Sequence, residues 1–314
     1  MRAVTALLLT LSGSLIVRLA AQSGGATHVL LVTGLAGEPR FATSFHAAAA
    51  LIYDAAKQRW GVADSSLRWL AEDPALDPAR IAGRSTREGV AEAFAGLARR
   101  SVPGDLILVV LIGHGSGEGA DSRLNLPGPD ATAADFATWL KLLPGRTIAV
   151  VNAASGSGDF IPVLTGPGRA VVTATKSAME RNETLFADYF ARALSSEEAD
   201  ADKDGRVTLL EAFTWSKRET GRAYERTNRL ATEHAQLGDS ALAATIAFGV
   251  SGVPGDPRVA GLVSERRALE GQVDALRRRK AGMDSTAYGR ELERLLLEIA
   301  TKTAAINAIL GKQP

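Results

Sequence analysis

The sequence predicts an α/β protein: a mainly parallel β-sheet with helices on both faces, an inserted acidic loop, and a C-terminal helical hairpin. Three observations predict it. Short apolar runs rich in Val, Ile and Leu alternate with stretches of helical periodicity from His28 to Ala174. That order suits parallel strands, because each crossover must return over a sheet face. One segment, Asp200 to Glu211, carries carboxylates at the spacing that surrounds a hard cation with oxygens. Beyond Pro254-Gly-Asp-Pro257, apolar residues recur in two stripes on otherwise charged sequence.

Taken in order, His28-Val-Leu-Leu-Val-Thr33 reads as a buried strand ending at the Gly34-Leu-Ala-Gly37 turn, and Phe41 to Trp60 as a helix with Phe45, Ala49, Ile52 and Ala56 on one face. Ser66 to Ala71 is a second strand. Ser85-Thr-Arg-Glu88 has the pattern of a capping box opening a helix that runs to Arg99. Asp105 to Ile112, Thr147 to Val151 and Ala170 to Ala174 read as strands, with a helix over Ala133 to Leu143 between the first two. Ligands of such a sheet belong at the carboxyl ends of its strands. Periodicity alone leaves flavodoxin-like and Rossmann arrangements open. The run Gly113-His-Gly-Ser-Gly-Glu-Gly119 mimics a phosphate loop, but Pro127 and Pro129 follow and no helix opens from it.

Composition narrows the functional classes. With 36 Lys+Arg against 35 Asp+Glu, the net charge of +1 supplies no dominating field for nucleic acid or a membrane surface. A chain of 314 residues can bury a full core without disulfide staples, so its lack of cysteine does not fix a redox compartment. The N-terminus speaks to that instead. Arg2, the apolar stretch Ala3 to Val17, and Arg18-Leu-Ala-Ala21 before a polar glycine-rich segment describe a secretory signal over residues 1–21, and hence export; the alternative is an uncleaved anchor, against which the run is short for a span and interrupted by Arg18. No later segment is long and apolar enough to span a membrane.

Two loops follow the strand ends. Gly113-His114-Gly115-Ser116 succeeds the run ending at Ile112, and Asn152-Ala153-Ala154-Ser155-Gly156-Ser157 succeeds the run ending at Val151. Together, in this order and over roughly residues 28 to 248, they resemble the His-Gly and nucleophile loops of the caspase and legumain superfamily of cysteine peptidases, whose second loop reads Ala-Cys-x-Ser-Gly-Ser. The resemblance implies a caspase-like domain over 27–250. It makes His114 the catalytic histidine, and Gly115 and Ala153 the backbone donors of an oxyanion hole. Ala153 then stands at the nucleophile position, and a methyl group cannot attack a peptide bond. The resemblance thus implies a pseudopeptidase. The alternative is an active peptidase with a displaced serine nucleophile, Ser155 or Ser157. Arg169 to Thr184 looks like the strand and specificity loop of legumain-type proteins, and Leu230 to Leu237 resembles their Thr-Glu-His element. Arg40 and His46 lie near where such proteins place recognition residues.

The sharpest chemical motif is the EF-hand-type loop, residues 200–211. Asp200, Asp202 and Asp204 occupy loop positions 1, 3 and 5, and Glu211 the bidentate position 12. Gly205 makes the turn at position 6, Arg206 lends its carbonyl, and Thr208 coordinates directly or through water. Val207 pins the loop centre to a neighbour. Thr184 to Leu194 reads as the incoming helix and Leu209 to Tyr224 as the outgoing one, with Trp215 and Tyr224 as core aromatics. The expected ligand is Ca²⁺, in a weak extracellular-type site that staples the two helices.

Over 258–311, Leu262, Leu269, Val273 and Leu276 form one stripe and Leu292, Leu295, Leu296, Ile299, Ile306 and Ile309 a second, broken at Ala281 to Ser285. An antiparallel hairpin follows. The functional expectation is an exported protein that binds a peptide or protein partner rather than nucleic acid.

Overall fold

The computed structural model describes residues 25–202, 205–249, 261, 262, 265, 266, 268, 269, 272, 273, 276 and 280–309. The signal segment expected over 1–21 and the ligand Asp204 lie outside the described residues.

The strands in chain order are β1 (Thr27–Thr33), β2 (Leu67–Ala71), β3 (Ile81–Arg84), β4 (Leu106–Ile112), β5 (Gly115–Ser116), β6 (Arg123–Leu124), β7 (Ala131–Thr132), β8 (Thr147–Asn152), β9 (Arg169–Thr173), β10 (Val207–Thr208), β11 (Gln236–Gly238) and β12 (Ala247–Phe248). Seven of them form one sheet in the order β11-β9-β8-β4-β1-β2-β3, in which only the β9–β11 edge is antiparallel. The mainly parallel sheet expected from the alternation is therefore present.

Alternation along each strand sorts the core into two layers. Val29, Leu31, Leu108, Val110, Ala149 and Val151 face α1 (Pro39–Gln58), α5 (Phe186–Ser195) and α6 (Leu209–Arg226), which bury Phe45, Ile52, Phe190 and Ala212 against them. Leu30, Val32, Ile107, Val109, Ile148 and Val150 face α2 (Arg87–Arg100), α3 (Ala133–Leu140) and α4 (Phe160–Leu164), which contribute Phe94, Phe136 and Phe160. Side chains such as Phe94 and Leu30 are fully buried, each worth about 1.5–3 kcal/mol of transfer from water. The short α7 (Ser240–Ala243) precedes β12.

Several boundaries differ from expectation. The helix α2 is capped by Thr86, whose hydroxyl accepts from the Gly89 N–H, and not by a Ser85–Glu88 box. The Ser85 N–H is held by the Ala71 carbonyl, which carries the chain on past β3 and keeps the residue buried. Asp105 lies outside β4. Its carboxylate accepts from the Ala26 and Val102 N–H groups, each at 2.8 Å, and meets His28 Nε2 at 3.1 Å. Burial pushes the Asp105 carboxyl up, but those donors outweigh it and hold the group below its ordinary value. The helix expected to Leu143 ends at Leu140, because residues 141–143 tighten into i→i−3 bonds ahead of Pro144. Strands of two to four residues such as β3, β5–β7 and β11 were not anticipated, since so few residues carry no period.

Beyond the sheet, the described residues of 261–276 are helical and the C-terminal helix spans Ser285–Ile309. Leu269, Val273 and Leu276 pack with Leu295, Tyr288, Leu292 and Ile299, while Leu262 meets Ile306 and Ile309. Early residues thus face late ones. Leu296 departs from the expected stripe, being 48% exposed.

Candidate functional site

Adjacent strands β4 and β8 run in parallel with Leu111 opposite Asn152, so the chain leaves both at the same edge of the sheet. Ile112 and Ala153 point to the α1 face by alternation and belong to the same apolar cluster as Phe41 and Phe45. The His114 ring, two residues beyond Ile112, lies edge-on to Phe41 with centroids 4.6 Å apart and to Phe45 at 5.2 Å. The fold therefore brings His114 and the buried Ala153 methyl to one side of the sheet. The two loops also touch directly. A side chain at Gly115 would meet the Ser155 carbonyl at 2.4 Å, and Gly156 takes a left-handed turn at φ 61° with its N–H on the Glu180 carbonyl.

What surrounds the pair bears on chemistry. The Ala153 N–H donates to the Leu111 carbonyl at 2.8 Å, and the Gly115 N–H to Ser155 Oγ at 3.3 Å. Both donors that the resemblance assigns to an oxyanion hole are thus engaged within the protein. Among the described residues the partly buried His114 ring makes ring contacts but no hydrogen bond or ion pair. Ser155 is 2% exposed, and Ser157 is 1% exposed with its hydroxyl on Thr175 Oγ1 at 3.2 Å. Among the described residues neither serine hydroxyl is hydrogen-bonded to the imidazole. Beside Phe45, the hollow lined by Thr33, His46, Trp69 and Glu72 holds about 20 Å³, room for one water. A larger hollow of about 420 Å³ lies at the opposite edge, bordered by Gly25 and Gly249 and remote from His114.

The loop after β9 fixes this edge. Thr184 Oγ1 donates to the Ala153 carbonyl at 2.8 Å. The next two residues open α5, and their N–H groups donate to Glu233, Leu185 at 2.7 Å and Phe186 at 3.1 Å. Burial raises the Glu233 carboxyl above its ordinary value despite these donors and the Tyr224 hydroxyl at 3.0 Å. His234 meets Glu180, whose carboxyl burial pushes up but the Lys176 N–H and His234 bring below normal. The Thr-Glu-His segment is thus a clamp on the start of α5. Arg40 is exposed, pairs with Glu38 and Glu183, and lies over the Phe41 ring; His46 meets Asp77 at 3.3 Å. Asp188 on the exposed side of α5 accepts from Ser44 Oγ at 3.4 Å, and partial desolvation lifts its carboxyl above the ordinary value. Its role was not legible in sequence, because nothing local marks a lone Asp on an amphipathic helix.

A second cluster forms between α5 and α6. Carboxylate oxygens of Asp200, Asp202 and Glu211 all lie within 4.8 Å of one another. Asp200, 3% exposed, accepts from the Gly205 N–H at 2.9 Å, with Gly205 at φ 83°. Val207 pairs with Phe248 and Thr208 with Ala247 in the antiparallel β10–β12 ribbon. The strand that would come from a second loop is supplied by the chain itself. Thr208 caps α6 in a capping box with Glu211, and Glu211 Oε1 accepts from the Ala201 N–H at 3.0 Å. The Arg206 side chain turns away to the Ala247 carbonyl at 2.8 Å. An all-oxygen donor set with convergent carboxylates fits a hard divalent cation.

No family model matches the sequence, and no curated protein is a match. Among solved structures the chain is similar to caspase-1 from Spodoptera frugiperda, at 10% identity and a TM-score of 0.44 over 68% of this chain and 86% of that one.

Proposed function

We propose that this chain is an exported caspase/legumain-like pseudopeptidase that holds a structural calcium ion and acts by binding a peptide or protein. One observation carries the reading: His114 and Ala153 share an edge and a face of the sheet, with no nucleophile between them. The engaged N–H groups of Gly115 and Ala153 support a surface without turnover. Export rests on the sequence of residues 1–21.

Calcium fits residues 200–211. Asp200, Asp202, Asp204 and Glu211 would supply carboxylates, Arg206 a carbonyl and Thr208 a hydroxyl or water contact. The ion would then neutralise the cluster and tie the end of α5 to the start of α6.

Incubating the protein with peptide libraries and a fluorophosphonate probe tests the absence of catalysis. No cleavage and no label are expected. Labelling of Ser155 or Ser157 would establish the serine alternative instead.

A further inference from the structure

The C-terminal hairpin reaches the body of the protein at the calcium loop. Its apolar residues pack on one another, and among the described residues none of them joins the two clusters on the sheet. Its contact with the loop is polar. Arg266 is 0% exposed and sets Nη2 3.6 Å from Asp202 Oδ2 and Nη1 3.4 Å from the Asp202 carbonyl. Glu265, next in sequence, pairs with Lys302 of the C-terminal helix, so the Arg266 backbone is fixed to the hairpin. A guanidinium removed from water needs a counterion, and this one shares its carboxylate with the acidic cluster.

We propose that Arg266 is a tethered cation that competes electrostatically with calcium for Asp202, so that the metal loosens the hairpin from the body and hairpin docking weakens the metal. This rests on the calcium reading of residues 200–211. A divalent ion bound to Asp202 would sit within a few ångströms of the buried guanidinium and repel it, with water at the 44% exposed Asp202 side chain screening part of the effect. The same ion would draw on one carboxylate with which Arg266 pairs. Linkage makes the effect reciprocal: whatever factor calcium takes from hairpin docking, docking takes from calcium affinity. The loop would then report extracellular-range calcium as the position of a helical arm.

The test uses the full chain. Calcium titration calorimetry compares wild type with Arg266→Gln and Arg266→Lys. The Gln variant is expected to bind about tenfold more tightly, a typical size for such couplings, and the Lys variant to remain near wild type. Because the chain has no cysteine, Lys217→Cys on α6 and Ala300→Cys on the C-terminal helix, both exposed, take spin labels cleanly in the protein that keeps Arg266. Their distance distribution should move on adding calcium and not on adding magnesium. Equal or weaker calcium binding by the Gln variant, or a label distance indifferent to calcium, overturns the proposal while leaving the metal site standing. Absence of saturable calcium binding in wild type and the Gln variant alike sinks both.

Discussion

Glu211 is the residue on which cap and metal readings make separable predictions. In the structure its Oε2 accepts from the Thr208 N–H and hydroxyl, both at 2.8 Å, and Oε1 from the Ala201 N–H at 3.0 Å. In Glu211→Gln the amide oxygen can keep the two Thr208 bonds, but the amide nitrogen then faces the Ala201 donor. Without metal that mismatch costs about 1–2 kcal/mol, and α6 keeps its cap. With metal the difference grows. For a dissociation constant of roughly 10⁻⁴ to 10⁻³ M, about 10 mM calcium stabilises the wild type by roughly 1.4–2.7 kcal/mol. In a domain of this size that raises Tm by about 3–11 °C. The Gln variant, lacking the bidentate anion, should lose nearly all of this shift. Thermal melts by circular dichroism in EGTA, in calcium and in matched magnesium read both quantities. A wild-type melt unmoved by calcium, or a Gln variant that retains the whole shift, refutes the reasoning.

Ala153→Cys should give no measurable hydrolysis of a peptide library, because both backbone donors are engaged and the His114 ring is packed on Phe41 and Phe45; turnover above the wild-type background would show the site to be competently arranged. Glu233→Ala orphans the Leu185 and Phe186 N–H groups and leaves the Tyr224 hydroxyl with Thr232 Oγ1 alone, and should destabilise by about 2 kcal/mol or more, read as a lower urea midpoint at unchanged m. The Arg87 guanidinium, hydrogen-bonded to Asp135 at 3.0 Å, together with the Thr132 cap holds the Asp135 carboxyl down from 3.8 to about 2. A depressed folded pKa contributes stability that is complete above about 3.8 and is lost as pH falls toward 2. Acid unfolding of Asp135→Asn should therefore be shallower than wild type across that window, and parallel curves would contradict the pair's role.

Much of the sheet was readable because each long strand buries both faces and so appears as an unbroken apolar run: β1, β4, β8 and β9 fell within a residue of expectation. The convergence of Asp200, Asp202 and Glu211 was readable as well, since their spacing is local to twelve positions and Gly205 meets a local backbone demand. Short pieces were not. The strands β5–β7, β10 and β12 exist only because partners lie across from them, and Val207 found Phe248 through the fold rather than through any pattern near it.

By itself the sequence determined which residues are apolar at which period, that the loop Asn152–Ser157 carries no cysteine, and that residues 200–211 concentrate oxygen-bearing side chains. Those are properties of local spacing and side-chain chemistry. Only the tertiary structure decided that the Ala153 and Gly115 N–H groups are already bonded, that Glu233 clamps α5, and that Arg266 meets Asp202. Each is a pairing between groups some 40 to 64 positions apart, which distance and direction in the folded chain create and no linear pattern encodes.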